Sequence, residues 1–109
     1  MNNLIDKYLP MTETAFYILL ALKEPLHGYG IILKVEELTQ ERIRIGPGTI
    51  YGTLSRMEED GLIRAVKQQN RRKIYVQSKI GNELMNLEVA RLKELIDNAE
   101  RYDYKWKQC

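Results

Sequence analysis

The sequence predicts a mainly α chain with one small β-hairpin and a long C-terminal helix, and three observations carry that prediction. Apolar residues recur at helical spacing in four stretches, two segments of period-two character lie between the third and the fourth, and prolines and glycines stand at the borders. With 109 residues, 44% hydrophobic and 29% charged, the composition fits one globular domain rather than a disordered chain. A domain this small buries a limited share of its surface, so pairing of two copies is a reasonable expectation before any motif is considered.

Residues 1–11 mix polar side chains with Leu4, Ile5, Tyr8 and Leu9 and read as an N-terminal arm whose structure the sequence leaves open. Thr12 is a good N-cap, Glu13 suits the positive end of a helix dipole, and the apolar run Ala15 to Leu22 continues a helix as far as Glu24-Pro25. That helix is apolar nearly all round, so it needs burial on more than one side, at the centre of the domain or against a second chain. The run is far short of the roughly 20 residues a membrane span needs, and no signal-peptide plan precedes it. Cys109 is the one cysteine, so no disulfide framework forms within a chain, and the cytoplasm is the expected compartment.

Leu26-His27-Gly28-Tyr29-Gly30 turns into a second helix with Ile31, Val35 and Leu38 as a core stripe and Lys34 and Glu37 facing water. His27, the single histidine, reads as a cap or hydrogen-bonding residue at the helix entrance rather than a catalytic or metal-binding one. Arg42-Ile43-Arg44-Ile45 alternates and predicts a very short strand.

The third helix has the clearest borders. Pro47 suits the first helical position and Gly61 the left-handed residue beyond the end. Ile50, Leu54 and Met57 share one narrow arc of the helical wheel, while Thr49, Gly52, Thr53 and Arg56 are placed on a side facing away and Tyr51 on the flank. Two hydroxyls, a glycine that permits close approach and an arginine capable of bidentate contacts form a surface suited to a DNA major groove. Taken alone, the same pattern also fits an ordinary amphipathic helix with a polar back.

Leu62-Ile63-Arg64-Ala65-Val66 and Lys73-Ile74-Tyr75-Val76-Gln77 are strands joined through Gln68-Gln69-Asn70-Arg71. Lys67, Arg71, Arg72 and Lys73 crowd the tip without an intervening acid, which fits either a hairpin that grips phosphate or one whose cations protect a sheet edge. Charge is segregated accordingly: residues 1–60 carry six Lys/Arg against nine Asp/Glu, a balance of −3, and residues 61–109 carry eleven against six, a balance of +5. Ser78 caps a final helix on which Met85, Val89, Leu92, Ile96 and Ala99 have the spacing of a two-stranded coiled-coil seam. Phe16 of the first helix is expected to join that interface, because one short seam offers little surplus over the cost of association. Asp103 and Trp106 break the regular layers, which fits either space for a planar apolar ligand that Tyr8, Phe16 and Tyr17 would also reach or a Trp106 that packs on the partner's surface or stays in solvent.

Three helices and a cationic hairpin make the plan of a winged helix–turn–helix, divided as an arm (1–11), a DNA-binding domain (12–77) and a dimerisation helix with its tail (78–109). From about Thr12 to Asn98 the chain resembles the short, PadR-like transcriptional regulators. The resemblance rests on Thr14-Ala15-Phe16-Tyr17-Ile18-Leu19, His27-Gly28-Tyr29-Gly30, Gly46-Pro47-Gly48-Thr49-Ile50-Tyr51, Leu54-Ser55-Arg56-Met57-Glu58-Glu59-Asp60-Gly61-Leu62-Ile63 and Arg71-Arg72-Lys73-Ile74-Tyr75. Where the family usually runs Leu-Thr-Glu-Lys-Gly after the wing, this chain has Gln77-Ser78-Lys79-Ile80-Gly81, which keeps the cap and the glycine and loses the acid of the first turn.

The resemblance implies a homodimer held by the C-terminal helix, double-stranded DNA with dyad symmetry as partner, and repression relieved by a small, often aromatic or cationic, effector. On the residues themselves, DNA contacts are expected from Thr49, Tyr51, Gly52, Thr53, Arg56, Lys67, Arg71, Arg72 and Lys73, and effector contacts from Tyr8, Tyr17 and Trp106. No nucleophile–base cluster, metal-ligand spacing or phosphate-binding glycine loop is visible, so no catalysis, metal or cofactor is expected, and no membrane partner. A winged-helix module that binds another protein and never touches DNA is the alternative, distinguished by an expendable outer face on the third helix and by binding insensitive to salt.

Overall fold

The computed structural model describes residues 1–105. Its elements run α1 (Asn2–Tyr8), α2 (Glu13–Ala21), α3 (Gly28–Leu38), α4 (Pro47–Glu59), β1 (Ile63–Gln69), β2 (Arg72–Gln77) and α5 (Lys79–Arg101). The mainly α fold with one hairpin and a long last helix is therefore as predicted, with an additional short helix in the N-terminal arm. Leu4, Ile5, Tyr8 and Leu9 of that arm pack on the core, and their burial is what holds so short a helix in place.

Helix borders follow local chemistry. Thr12 caps α2 by accepting a hydrogen bond from the Ala15 amide at 3.1 Å, and Ser78 caps α5 by accepting from the Gly81 amide at 3.0 Å. Pro47 opens α4 behind the Gly46 cap, and Gly61 follows its end at φ +79°. The core is built from Ile18, Leu19 and Leu22 around α2, Ile31 and Val35 of α3, Ile50, Leu54 and Met57 of α4, and Leu62 and Leu84 beyond them. Leu38, expected in the α3 stripe, is 45% exposed instead, because the core ends one turn earlier at Val35.

The Arg42–Ile45 segment is not a strand. Gln40 and Glu41 turn the chain with positive φ, Thr39 Oγ1 accepts from the Ile43 amide, and among the described residues no strand offers Arg42–Ile45 a ladder to join. Its two arginines are held by acids, Arg42 by Glu13 at 2.7 Å and Arg44 by Glu41.

β1 and β2 pair antiparallel from Ile63↔Gln77 to Gln69↔Arg72, with a register shift between Ala65 and Lys67 that lets the hairpin bend. Asn70 and Arg71 form its two-residue tip, both with positive φ, as the tightest hairpin turns require. Leu26 adds a bridge to Tyr75 through hydrogen bonds of 2.9 and 3.0 Å in both directions. This bridge ties the start of α3 to the hairpin and so sets His27 beside the cations of β2. At the other end, Gly81 lets α5 pass the Leu62 carbonyl: a β-carbon there would stand 2.1 Å from that oxygen.

Candidate nucleic-acid interface

The outward side of α4 presents bare backbone at its front. Gly46, Gly48 and Gly52 have open space where a side chain would project, and Thr49, Tyr51 and Arg56 are exposed around them. Thr53 is not on this side. It is 7% exposed because it stands three residues after Ile50 and four before Met57, on the border of the buried arc, and the packed core covers that border.

Tyr51 leans from α4 across Gly28, where a β-carbon would meet its Cε1 at 2.8 Å. Its ring joins His27, Gly28, Arg71, Arg72, Lys73 and Tyr75 around a hollow of about 260 Å³. The structure thus brings Tyr51 together with three wing cations. Among the described residues, the ion pairs leave out Lys67, Arg71 and Arg72, whereas Lys73 reaches Glu58 at 3.3 Å and lies 5.6 Å from the Tyr75 ring centre. Unpaired, solvent-facing guanidinium groups remain available to an anion.

Arg56 stands apart from that group. It lines a second hollow with Lys7, Tyr8, Pro10, Thr12 and Ala15 on the side of α4 nearest the N-terminal arm. Beside it, Tyr8 donates its hydroxyl to Asp60 Oδ2 at 2.6 Å and Lys7 pairs with the same oxygen at 2.8 Å. Burial, reinforced by the hydrogen bond to Asp60, pushes the Tyr8 hydroxyl up to about 12, while Lys7 and Tyr8 hold the Asp60 carboxyl below its usual range. Tyr8 is therefore committed to fastening α1 to the end of α4, and the hollow it lines is not the one that Tyr17 lines.

Tyr17 packs edge-on against Phe16, ring centres 5.7 Å apart, and both line a hollow of about 190 Å³ with Met11, Glu13, Glu88 and Leu92. Trp106 lies outside the described residues. Of the expected dimer seam, Met85 is buried in the chain's own core, because the same face of α5 that carries it also carries Leu84 and Gly81 against Leu62. Val89 and Ile96 are 50% and 56% exposed, Ala99 is exposed, and Leu92 and Phe16 are half-buried.

Two features were not legible as site elements in the sequence. His27 reads in the sequence as a cap or hydrogen-bonding residue, and its place beside the wing depends on the long-range Leu26–Tyr75 bridge, which no local pattern contains. Glu88 belongs to no motif that the sequence offers. It is 1% exposed, accepts the Met11 amide at 2.8 Å, and takes Arg91 at 2.6 and 2.9 Å through both carboxylate oxygens.

The comparisons with known proteins fall where this geometry points. The model of the transcriptional regulator PadR-like family matches residues 18–87. The chain belongs to the PadR-like family. A 37.1 kDa protein in transposon TN4556 of Streptomyces fradiae is 34% identical over 77 residues, covering 70% of this chain, which spans only 22% of that relative's length. The chain is also similar in fold to a PadR family transcription regulator from Clostridium difficile R20291, with a TM-score of 0.72 at 21% identity over 85% of this chain and 100% of that one. A PadR family regulator from Eggerthella lenta gives 0.67 at 23% identity over 85% and 83%. A PadR-like regulator from Bacillus cereus gives 0.67 at 20% over 85% and 93%. The domain is thus a winged helix of a transcriptional regulator family, with α4 in the place of the recognition helix and the β1–β2 hairpin as its wing. No described helix is long and apolar enough to cross a membrane.

Proposed function

We propose that this PadR-like protein is a cytoplasmic homodimeric repressor that binds a dyad-symmetric DNA operator through α4 and the wing. One observation carries the reading: Tyr51 of α4 and Arg71, Arg72 and Lys73 of the wing gather around a single hollow beside the glycine-lined front of α4. In this reading Thr49 and the bare backbone at Gly48 and Gly52 approach base edges, the wing cations meet phosphate, and Arg56 approaches the duplex from the side of the N-terminal arm.

The outer part of α5 supports the dimer. Val89, Leu95 and Ile96 lie about half exposed on one helix, an apolar stripe that the described residues leave largely open. Two copies joined there would place two copies of α4 for half-sites about 34 Å apart along the duplex. The hollow lined by Phe16, Tyr17 and Leu92 suits a planar effector that stacks on the two rings, since Glu13 and Glu88 at its wall are already paired with Arg42 and Arg91.

Selection of a binding sequence from random duplexes by the full chain, followed by footprinting, tests the proposal. A protected site with two symmetric half-sites one helical turn apart is expected. Failure to enrich any sequence, together with binding that ignores salt, would favour a module that docks on another protein.

A further inference from the structure

His27 does two things at once in this fold. Its Nδ1 accepts the Gly30 amide hydrogen at 3.0 Å, capping α3, and its Nε2 stands 3.4 Å from Arg72 Nη1. A ring nitrogen that accepts a hydrogen bond carries no proton, so in the capping tautomer the proton is on Nε2. Arg72 has donors only. The two groups therefore present two donors 3.4 Å apart at the wall of one hollow, close enough for a single acceptor on the hollow side to take a hydrogen bond from each. The hollow they line holds Tyr51, Arg71 and Lys73 as well and no carboxylate among its lining residues; the nearest acid in the ion-pair network, Glu58, is engaged by Lys73.

We infer that His27 Nε2 and Arg72 together clasp one backbone phosphate of bound DNA in each subunit, making the imidazole a positioning residue for the recognition helix. The inference rests on the DNA-binding reading above and deepens it. A phosphate oxygen accepts from both donors at once, and the surrounding cations neutralise its charge. The geometry also explains a use for the Leu26–Tyr75 bridge, which fixes the imidazole against the wing before DNA arrives. Tyr51 leans across Gly28 into the same hollow, so a phosphate held there sets the depth of α4 in the groove.

The test uses a duplex selected by the full chain and a set of copies in which each phosphate in turn is replaced by an uncharged methylphosphonate. For the natural protein, one phosphate per half-site should weaken binding roughly tenfold when neutralised. His27→Asn keeps a side chain able to cap α3 and removes the Nε2 donor, and Arg72→Gln removes the cation from an exposed position. Each variant should bind the unmodified duplex roughly tenfold more weakly, and each should lose most of the penalty at that one phosphate while retaining it elsewhere. Equal penalties in the natural protein and in His27→Asn at every position would overturn the inference. So would a saturable shift of the His27 ring resonances with inorganic phosphate alone that added duplex leaves unchanged, because the site would then serve a free anion. Absence of duplex binding by the natural protein is a different result, and it would remove the DNA-binding reading itself.

Discussion

Tyr51 rests on Gly28 so closely that a β-carbon at position 28 would lie 2.8 Å from the ring and 3.0 Å from its hydroxyl oxygen. A side chain at position 28 would push the ring out of this place, and the contact connects the start of α3 to the exposed side of α4. Gly28→Ala should displace the exposed Tyr51 ring at little cost in stability, because the atoms it meets are the far end of a side chain that can swing aside. Operator affinity should fall nonetheless. Adding Tyr51→Ala should leave stability nearly unchanged and recover none of the affinity, a pattern read by denaturant unfolding beside duplex titration.

Gly81 has no such flexible neighbour. The atom facing it is the Leu62 backbone carbonyl at 2.1 Å from a built β-carbon, so relief requires moving the main chain of either α5 or the segment into β1. Gly81→Ala should destabilise by about 3 kcal/mol or more, whereas Gly52→Ala, with open space around it, should gain a few tenths to ~1 kcal/mol from helix propensity. Thermal and urea midpoints of the two variants check the contrast, and the second variant should still lose operator affinity if α4 approaches DNA closely there.

The Glu88 carboxyl, held below its ordinary value first by Arg91 and then by the Met11 amide, makes stability depend on pH with a definite sign. A carboxyl lowered on folding contributes fully above its unfolded value and loses that contribution as pH falls through the folded one. Stability should therefore decline from about pH 5 downward. Asp60 and Glu13 act in the same direction, so Glu88→Gln should flatten the decline without abolishing it. Urea unfolding of both proteins from pH 7 to pH 3 measures the difference in slope.

Where each partner of the α5 stripe sits decides the outcome of changing it. Val89→Asp with Ile96→Asp should give folded monomers by sedimentation, since neither side chain belongs to the chain's own core. Met85→Asp should unfold the protein, because it buries a charge among Leu84 and its neighbours at a cost of several kcal/mol. Dimers that persist in the Val89 and Ile96 double variant would place the interface elsewhere.

These contrasts mark what was legible in the sequence. Features written in local periodicity were clear: Ile50, Leu54 and Met57 as one buried arc, Pro47 and Gly61 as borders, and two strands around a polar turn. Residues on the edge of an arc were not, because the neighbours that cover them come from elsewhere in the chain. Thr53 and Met85 were each placed by spacing on the wrong side of such an edge. Arg42–Ile45 alternates like a strand but lacks a strand to pair with, a fact no local pattern contains. Residues 2–8 form a helix on the strength of the core they pack on, and Glu88 is buried because Met11 and Arg91 satisfy it from two directions. In the candidate interface, Tyr51 and the wing cations were named individually, but their meeting with His27 depends on the long-range bridge between Leu26 and Tyr75.

Operator affinity as a function of salt tests the central claim most directly. If three cations in each subunit meet phosphate, the dimer neutralises about six, and log K should fall against log salt with a slope near −5. Arg71→Ala with Arg72→Ala removes about four of those contacts and should bring the slope to about −2. A slope near zero in the natural protein, or the same steep slope in the double variant, would contradict a wing that holds DNA by its phosphates.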